Sequence, residues 1–424
     1  MWVSLVSVAL GSIVTLLLYF GLNYLLPEQQ FFSARAVINS MNLFAPFLCL
    51  GLDNAAPRLV QKGSNGSYVW GFLVYAIIGA LALVLLGWAV GQWKYSPFII
   101  GAGFALTLST TLVASNYLRA QGAHRRYFLN VNIYDRFART FILLGAAVFF
   151  EEFLFWALVV VPAFIIYSAS VVVRSGATLQ GSLRFPTEEA RRSLPLILSS
   201  VAIILLTRSP YFAAYIKDGV ISANATDLIL LFSLLILLPV LNVQKIDEVI
   251  LKGSEAGGRP NNGRQLALAE FVIISGFISF LLLANIMGFL SRADLIGIAM
   301  PLGIGMILIS MIPNFPHILL LVGRTKAGLA VTVIATVLAT LSYTVVSALT
   351  DTTAWGFVFA ALAYTLTGVV FARQYIIPYV SAGRITRTVA LAAYLVVALN
   401  CAALFDLPDF FEPLVSKVNL VINR

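Results

Sequence analysis

The sequence predicts an all-α, polytopic membrane protein of about 12–13 transmembrane helices, set as two six-helix lobes around a central cavity. Three observations predict it. Of 424 residues, 60% are hydrophobic and only 11% charged, with a mean hydropathy of +0.95, outside the range of soluble globular domains. The apolar residues gather into about thirteen runs, most long enough for the roughly 20 residues that cross a hydrocarbon core. The loops between the runs alternate between strongly and weakly basic, as inner and outer loops do. Alternating-polarity segments of the outer-membrane barrel type are absent.

Taken in order, the runs lie near 2–26, 31–57, 69–91, 97–118, 128–150, 153–174, 195–215, 227–246, 266–289, 295–322, 327–350, 354–377 and 388–405. The first begins at Met1 with no basic segment before it and no small-residue cleavage pattern, and reads as a retained helix. Eighteen of the 27 Lys and Arg residues fall in loops on one side, five on the other, and four inside the runs or at their ends. The rich side is expected to be cytoplasmic, which puts the amino terminus inside. The net charge of +9 therefore reflects membrane orientation, and no nucleic-acid partner is expected.

Residues 175–194, with Pro186, Thr187, Glu188, Glu189 and Arg191, suggest a short interfacial helix midway through the spans. Residues 249–265, with Gly253, Gly257, Gly258, Pro260 and Gly263, read as a flexible link. Similar punctuation near the second and eighth spans, and before the fifth and eleventh, suggests two six-helix halves in parallel. The expected organisation is a lobe at 1–175, a cytoplasmic linker at 176–194, a second lobe at 195–378, an additional membrane helix at 387–406 and a tail at 407–424.

The informative residues are arginines at membrane depth. A guanidinium there costs on the order of 3 kcal/mol by insertion scales, so it marks function by default. In the second span Arg35, Asn39, Asn42, Pro46, Cys49 and Asp53 are spaced four, three, four, three and four apart, which places them on one helix face. That face reads as a cavity wall, or else as a seam where asparagines bond to a neighbouring helix. In the fifth span Asn132, Asp135, Arg136 and Arg139 make a second stripe; Asp135 and Arg139, four apart, can pair. With Arg58 these residues suit a gate or cytoplasmic mouth, the bland alternative being arginines that reach toward headgroups. The seventh span holds Arg208, followed by Ser209 and Pro210. The tenth carries Pro313, Asn314, Pro316 and His317, a bend with two polar side chains on one face. The first offers Ser12, Thr15, Tyr19 and Asn23 on one face.

Several classes are excluded. No Gly-rich phosphate loop with a following Lys-Ser or Lys-Thr occurs, and neither does a Gly-x-Ser-x-Gly elbow or a His-Glu-x-x-His metal motif. The two histidines are too few for a histidine metal centre, and Cys49 and Cys401 read as small core residues. No cofactor, metal or catalytic residue is expected. The short outer loops disfavour a membrane glycosyltransferase or polymerase, and the scarcity of acids inside the spans disfavours a cation-coupled drug antiporter of the MATE kind.

The Leu50-Gly51-Leu52 turn running to Arg58, the Tyr117-Leu118-Arg119-Ala120-Gln121-Gly122 joint, and Leu194-Pro195-Leu196 with Arg208 beyond it resemble the polysaccharide transporters of the MOP superfamily, most of all the Wzx-like flippases of lipid-linked O-antigen repeat units. The resemblance implies a substrate of undecaprenyl-diphosphate oligosaccharide, moved to the outer leaflet of a bacterial cytoplasmic (inner) membrane by alternating access. It implies no enzymatic activity, and contact with membrane lipids and with polysaccharide polymerase machinery. Arginines suit a diphosphate because the guanidinium fork donates several charge-assisted hydrogen bonds. On this reading Arg35 and Arg208 hold phosphate, while Tyr19, Asn39, Asn42, Asn314 and His317 line the substrate path.

Overall fold

In the computed structural model, the described residues are 2–61, 65–91, 96–150, 152–179, 206–214, 225–231, 263–311, 325–350, 353–371 and 382–404, with isolated positions between them. The fold is all-α. Seven helices among these residues are long and apolar enough to cross a membrane, and Ile13–Leu25 and Glu270–Ile286 are shorter apolar stretches. The chain divides into two compact units, Met1–Ile204 and Leu205–Arg424.

Unit 1 begins with α1 (Trp2–Leu25), which stops at Pro27, the residue before α2 (Glu28–Leu48). The expected second span, 31–57, is not one helix. It breaks at Cys49–Gly51 and resumes as α3 (Leu52–Gln61). Pro46 removes one rung of the hydrogen-bond ladder. Leu50 (φ 51°) and Gly51 (φ 72°) then enter the left-handed region, which Gly51 adopts freely and Leu50 does not. Ser109 steadies the break by donating to the Ala45 carbonyl at 2.7 Å.

The axis of unit 1 is α5 (Ser96–Ala120). Its spanning window is 78% buried, against 39% for α4 (Ser67–Val90). Without a hydrophobic drive between helices in lipid, small residues make such an axis by letting backbones approach. A Cβ on Gly101 would stand 2.5 Å from the Ser40 Cβ of α2, and one on Gly103 would stand 2.8 Å from Val84 of α4. The fifth span is a continuous rod: α6 (His124–Leu129), a π turn (Asn130–Tyr134) and α7 (Asp135–Phe149). It packs on α1, where a Cβ on Gly11 would stand 2.1 Å from the Asn132 carbonyl oxygen. Helix α8 (Phe153–Arg174) closes the unit. Trp156 Nε1 donates to the Leu143 carbonyl at 3.1 Å, and Ser168 to that of Thr107 at 3.0 Å.

In unit 2, residues 206–214 and 225–231 are helical. They are followed by α9 (Gly263–Ile286) and a turn at Arg292–Asp294 capped reciprocally by Ser291 and Asp294. A π turn (Leu295–Ala299) leads into α10 (Met300–Met311). Helices α11 (Thr325–Leu349), α12 (Thr353–Phe371) and α13 (Ala382–Leu404) complete it. Here α12 is the shared partner: α11 meets it at Gly356, where a Cβ would touch the Ser347 hydroxyl, and α10 meets it at Gly305 against Phe357. The grip of α2 and α4 on α5 therefore recurs as that of α10 and α11 on α12. The recurrence pairs the second, third and fourth spans with the tenth, eleventh and twelfth, an offset from the pairing of second with eighth that the loop punctuation suggests. The last apolar run is integral to the unit. Helix α13 packs on α9 and α10, with Arg387 donating to Glu270 at 3.3 Å and Tyr394 stacked on Phe271 at 5.6 Å. Cys49 is buried, whereas Cys401, expected in the core, lies on an exposed face of α13.

Candidate functional site

The arginines of α2 and of the α6–α7 rod stand in two separate polar clusters of unit 1. In the first, Arg35 is 1% exposed and holds its guanidinium over the Tyr19 ring of α1, 4.8 Å from the centroid. Phe31 meets the same ring edge-on at 5.4 Å. An arginine among rings is held by the negative face of the aromatic quadrupole, an attraction of about 2 kcal/mol when desolvated. Tyr19, expected along the substrate path, is thus the platform that orients Arg35. Asn39 is buried one turn further along α2, and Asn42 is half-buried.

The second cluster lies where the rod meets α1, α5 and α8. Asp135 and Arg139 form an ion pair across one helical turn, and Arg139 Nε also donates to the Asp135 carbonyl at 3.3 Å. The Thr111 hydroxyl of α5 donates to the other carboxylate oxygen at 3.4 Å. Arg136 points the other way and donates to Thr15 of α1 at 3.3 Å, while Asn132 donates to Ser7 at 3.2 Å. Arg139 thus pairs with the carboxylate while Arg136, turned toward α1, adds a second guanidinium, and the cluster carries an excess positive charge. The close approach at Gly11 puts α1 near enough for Thr15 and Ser7 to reach the rod. The π turn widens the rod between Asn130 and Tyr134, directly before Asp135, as such turns do at functional sites.

Beside Asp135 is a cavity of ≈ 10 Å³ lined by Thr111, Ser115, Asn130, Asp135 and Tyr167 among others, about the size of one water. Of these residues only Asp135 stands out in the sequence. Thr111, Ser115 and Tyr167 are unremarkable polar residues in apolar runs, and nothing in their spacing shows that α5 and α8 converge on the rod. Asp227 was also missed: it sits at the edge of the eighth run yet is fully buried in unit 2.

Arg208 lies in the helical residues 206–214 of unit 2, half-buried, beside Thr207 and Tyr211, both buried. Arg58 falls in α3, but its side chain, like Asn314 and His317 entirely, lies outside the described residues. Among the described residues no group of three or more His, Cys, Asp or Glu side chains is placed to hold a metal ion.

No protein-family model matches the chain, and no curated protein matches it. Solved structures do. A multidrug resistance MATE family transporter of the MOP superfamily, in an outward-facing conformation, aligns at TM-score 0.60 and 14% identity over 89% of this chain and 95% of its own. A MATE in its straight conformation aligns at 0.55 and 12% identity, covering 92% and 94%. A MOP superfamily transporter from Pyrococcus furiosus, described as having a binding pocket of reverse polarity that suggests a different function, aligns at 0.54 and 13% identity, covering 92% and 94%. The chain is an all-α, multi-pass membrane protein with the fold of MOP-superfamily transporters.

Proposed function

We propose that this chain is a flippase that carries undecaprenyl-diphosphate-linked oligosaccharide repeat units from the cytoplasmic to the outer leaflet by alternating access, supplying O-antigen or capsule biosynthesis. The observation that carries the reading is the sign of the interior of unit 1. Arg35, Arg136 and Arg139 stand in α2 and the α6–α7 rod, against the carboxylate of Asp135 and that of Asp53, half-buried in the first turn of α3. A carrier of cations needs the opposite balance, whereas a diphosphate is matched by guanidinium donors. Arg35 and Arg208 take the phosphate roles, and Asn39 and Asn42 provide amide partners for sugar hydroxyls. The fold supports transport in general.

A second reading, a cation-coupled drug antiporter, is favoured by the buried carboxylates Asp135 and Asp227. Its difficulty is that Asp135 is already neutralised by Arg139. Genetic depletion separates the two. Loss of a flippase leaves lipid-linked units accumulating in the inner leaflet, with surface glycan absent. Unchanged surface glycan, with greater sensitivity to cationic drugs, would reject the flippase.

A further inference from the structure

We propose that the corner between α5 and α6 binds the headgroup of an anionic phospholipid whose acyl chains lie along the rod. His124, Arg125 and Arg126 are all exposed there, and no acidic residue occurs between Arg119 and Tyr134. Arg119 is held over the Tyr127 ring at 5.5 Å, which fixes a third guanidinium beside the exposed pair. The apolar half of the surface continues from it. With the π turn included, Arg126, Tyr134, Phe137 and Phe141 fall on one side of the rod. The three rings are 49%, 38% and 71% exposed, and Phe137 and Phe141 stack at 6.1 Å. Arg136 and Arg139 face the opposite, buried side.

An exposed cationic end joined to an exposed apolar strip is the outline of an amphiphile with a negative head. The occupant is a bulk anionic phospholipid, because the arginines stand just past the end of α5, a helix long and apolar enough to cross a membrane, and headgroups lie at the ends of such helices. Arginines that served only to orient the helix would hold no particular lipid. The surface is separate from the buried clusters and does not depend on the proposed cargo.

The test is native mass spectrometry of the full chain titrated with phosphatidylglycerol, phosphatidylcholine or undecaprenyl phosphate, together with a photoactivatable phosphatidylglycerol whose cross-links are mapped. Phosphatidylglycerol should be retained over phosphatidylcholine and undecaprenyl phosphate, with cross-links between residues 134 and 141. Removing each arginine should weaken retention roughly five-fold, so R125A/R126A loses about 25-fold, while R125K/R126K keeps most of it. Equal retention by R125A/R126A, equal retention of phosphatidylcholine, cross-links elsewhere, or preference for undecaprenyl phosphate would each overturn the proposal.

Discussion

Replacing Asp135 by Asn probes the polar cluster most sharply. The side chain keeps its shape but loses its charge, and Arg139 is left facing an amide. Asp135 is 5% exposed, and the Arg139 side chain is 18% exposed, so neither is shielded by bulk water. Removing one partner of a buried pair costs about 3–5 kcal/mol; Arg139's partial exposure puts the expected loss near 3 kcal/mol. Arg139→Gln leaves the carboxylate with the Thr111 hydroxyl and should cost about 2 kcal/mol, the scale of a charged hydrogen bond. The double variant removes both charges and should cost no more than about 3 kcal/mol, a coupling of roughly 2 kcal/mol within the range for contacting residues. Reversible unfolding in mixed micelles, run as a double-mutant cycle, measures each corner. Single-variant losses that add to within 0.5 kcal/mol would refute the claim that Asp135 is neutralised by Arg139.

Three further outcomes follow from the geometry. Tyr19→Leu removes the ring under Arg35 and should lower stability by about 1–2 kcal/mol; an unchanged unfolding midpoint would argue against the stacked arrangement. Gly51→Ala places a Cβ where φ is 72° and should cost about 1–2 kcal/mol in the same assay, whereas a stabilised variant would show that the break in the second span is wrongly placed. Gly11→Val must push α1 off the Asn132 carbonyl, a loss of about 1–3 kcal/mol from overpacking; a cross-link between cysteines at positions 7 and 132 should then fade, and full retention would contradict the close approach.

Much of the fold could be read from apolar runs, because lipid forces every backbone polar group to bond within its own helix. The observed ends of α1, α4, α5 and α8 lie within a few residues of the runs. The Leu50-Gly51-Leu52 turn stands at the break in the second span, but the apolar run continues through it to 57, since Leu50 is as apolar as its neighbours and its left-handed backbone leaves no trace but the adjacent Gly51. Helical spacing placed Asp135 four residues from Arg139 and Tyr19 on the polar face of α1. It could not show that Tyr19 lies beneath Arg35, or that Thr111 reaches Asp135, because those contacts join residues from different helices. Asp227 at a run's edge looks like a loop residue until neighbouring helices cover it. The exposure of Cys401 has the same origin: composition assigns it to an apolar helix, and packing decides which side faces outward.

The most direct test is reconstitution of the full chain in proteoliposomes holding a fluorescent undecaprenyl-diphosphate oligosaccharide, with transbilayer movement read by the loss of quencher-protected signal. The chain should move the glycan-lipid, Arg35→Ala and Arg208→Ala should abolish movement while inserting normally, and the Lys variants should recover only part of it, because an ammonium lacks the bidentate fork. Unimpaired movement in the Arg35→Ala/Arg208→Ala double variant, or Asp135-dependent uptake of a cationic dye with no movement of the glycan-lipid, would contradict the account.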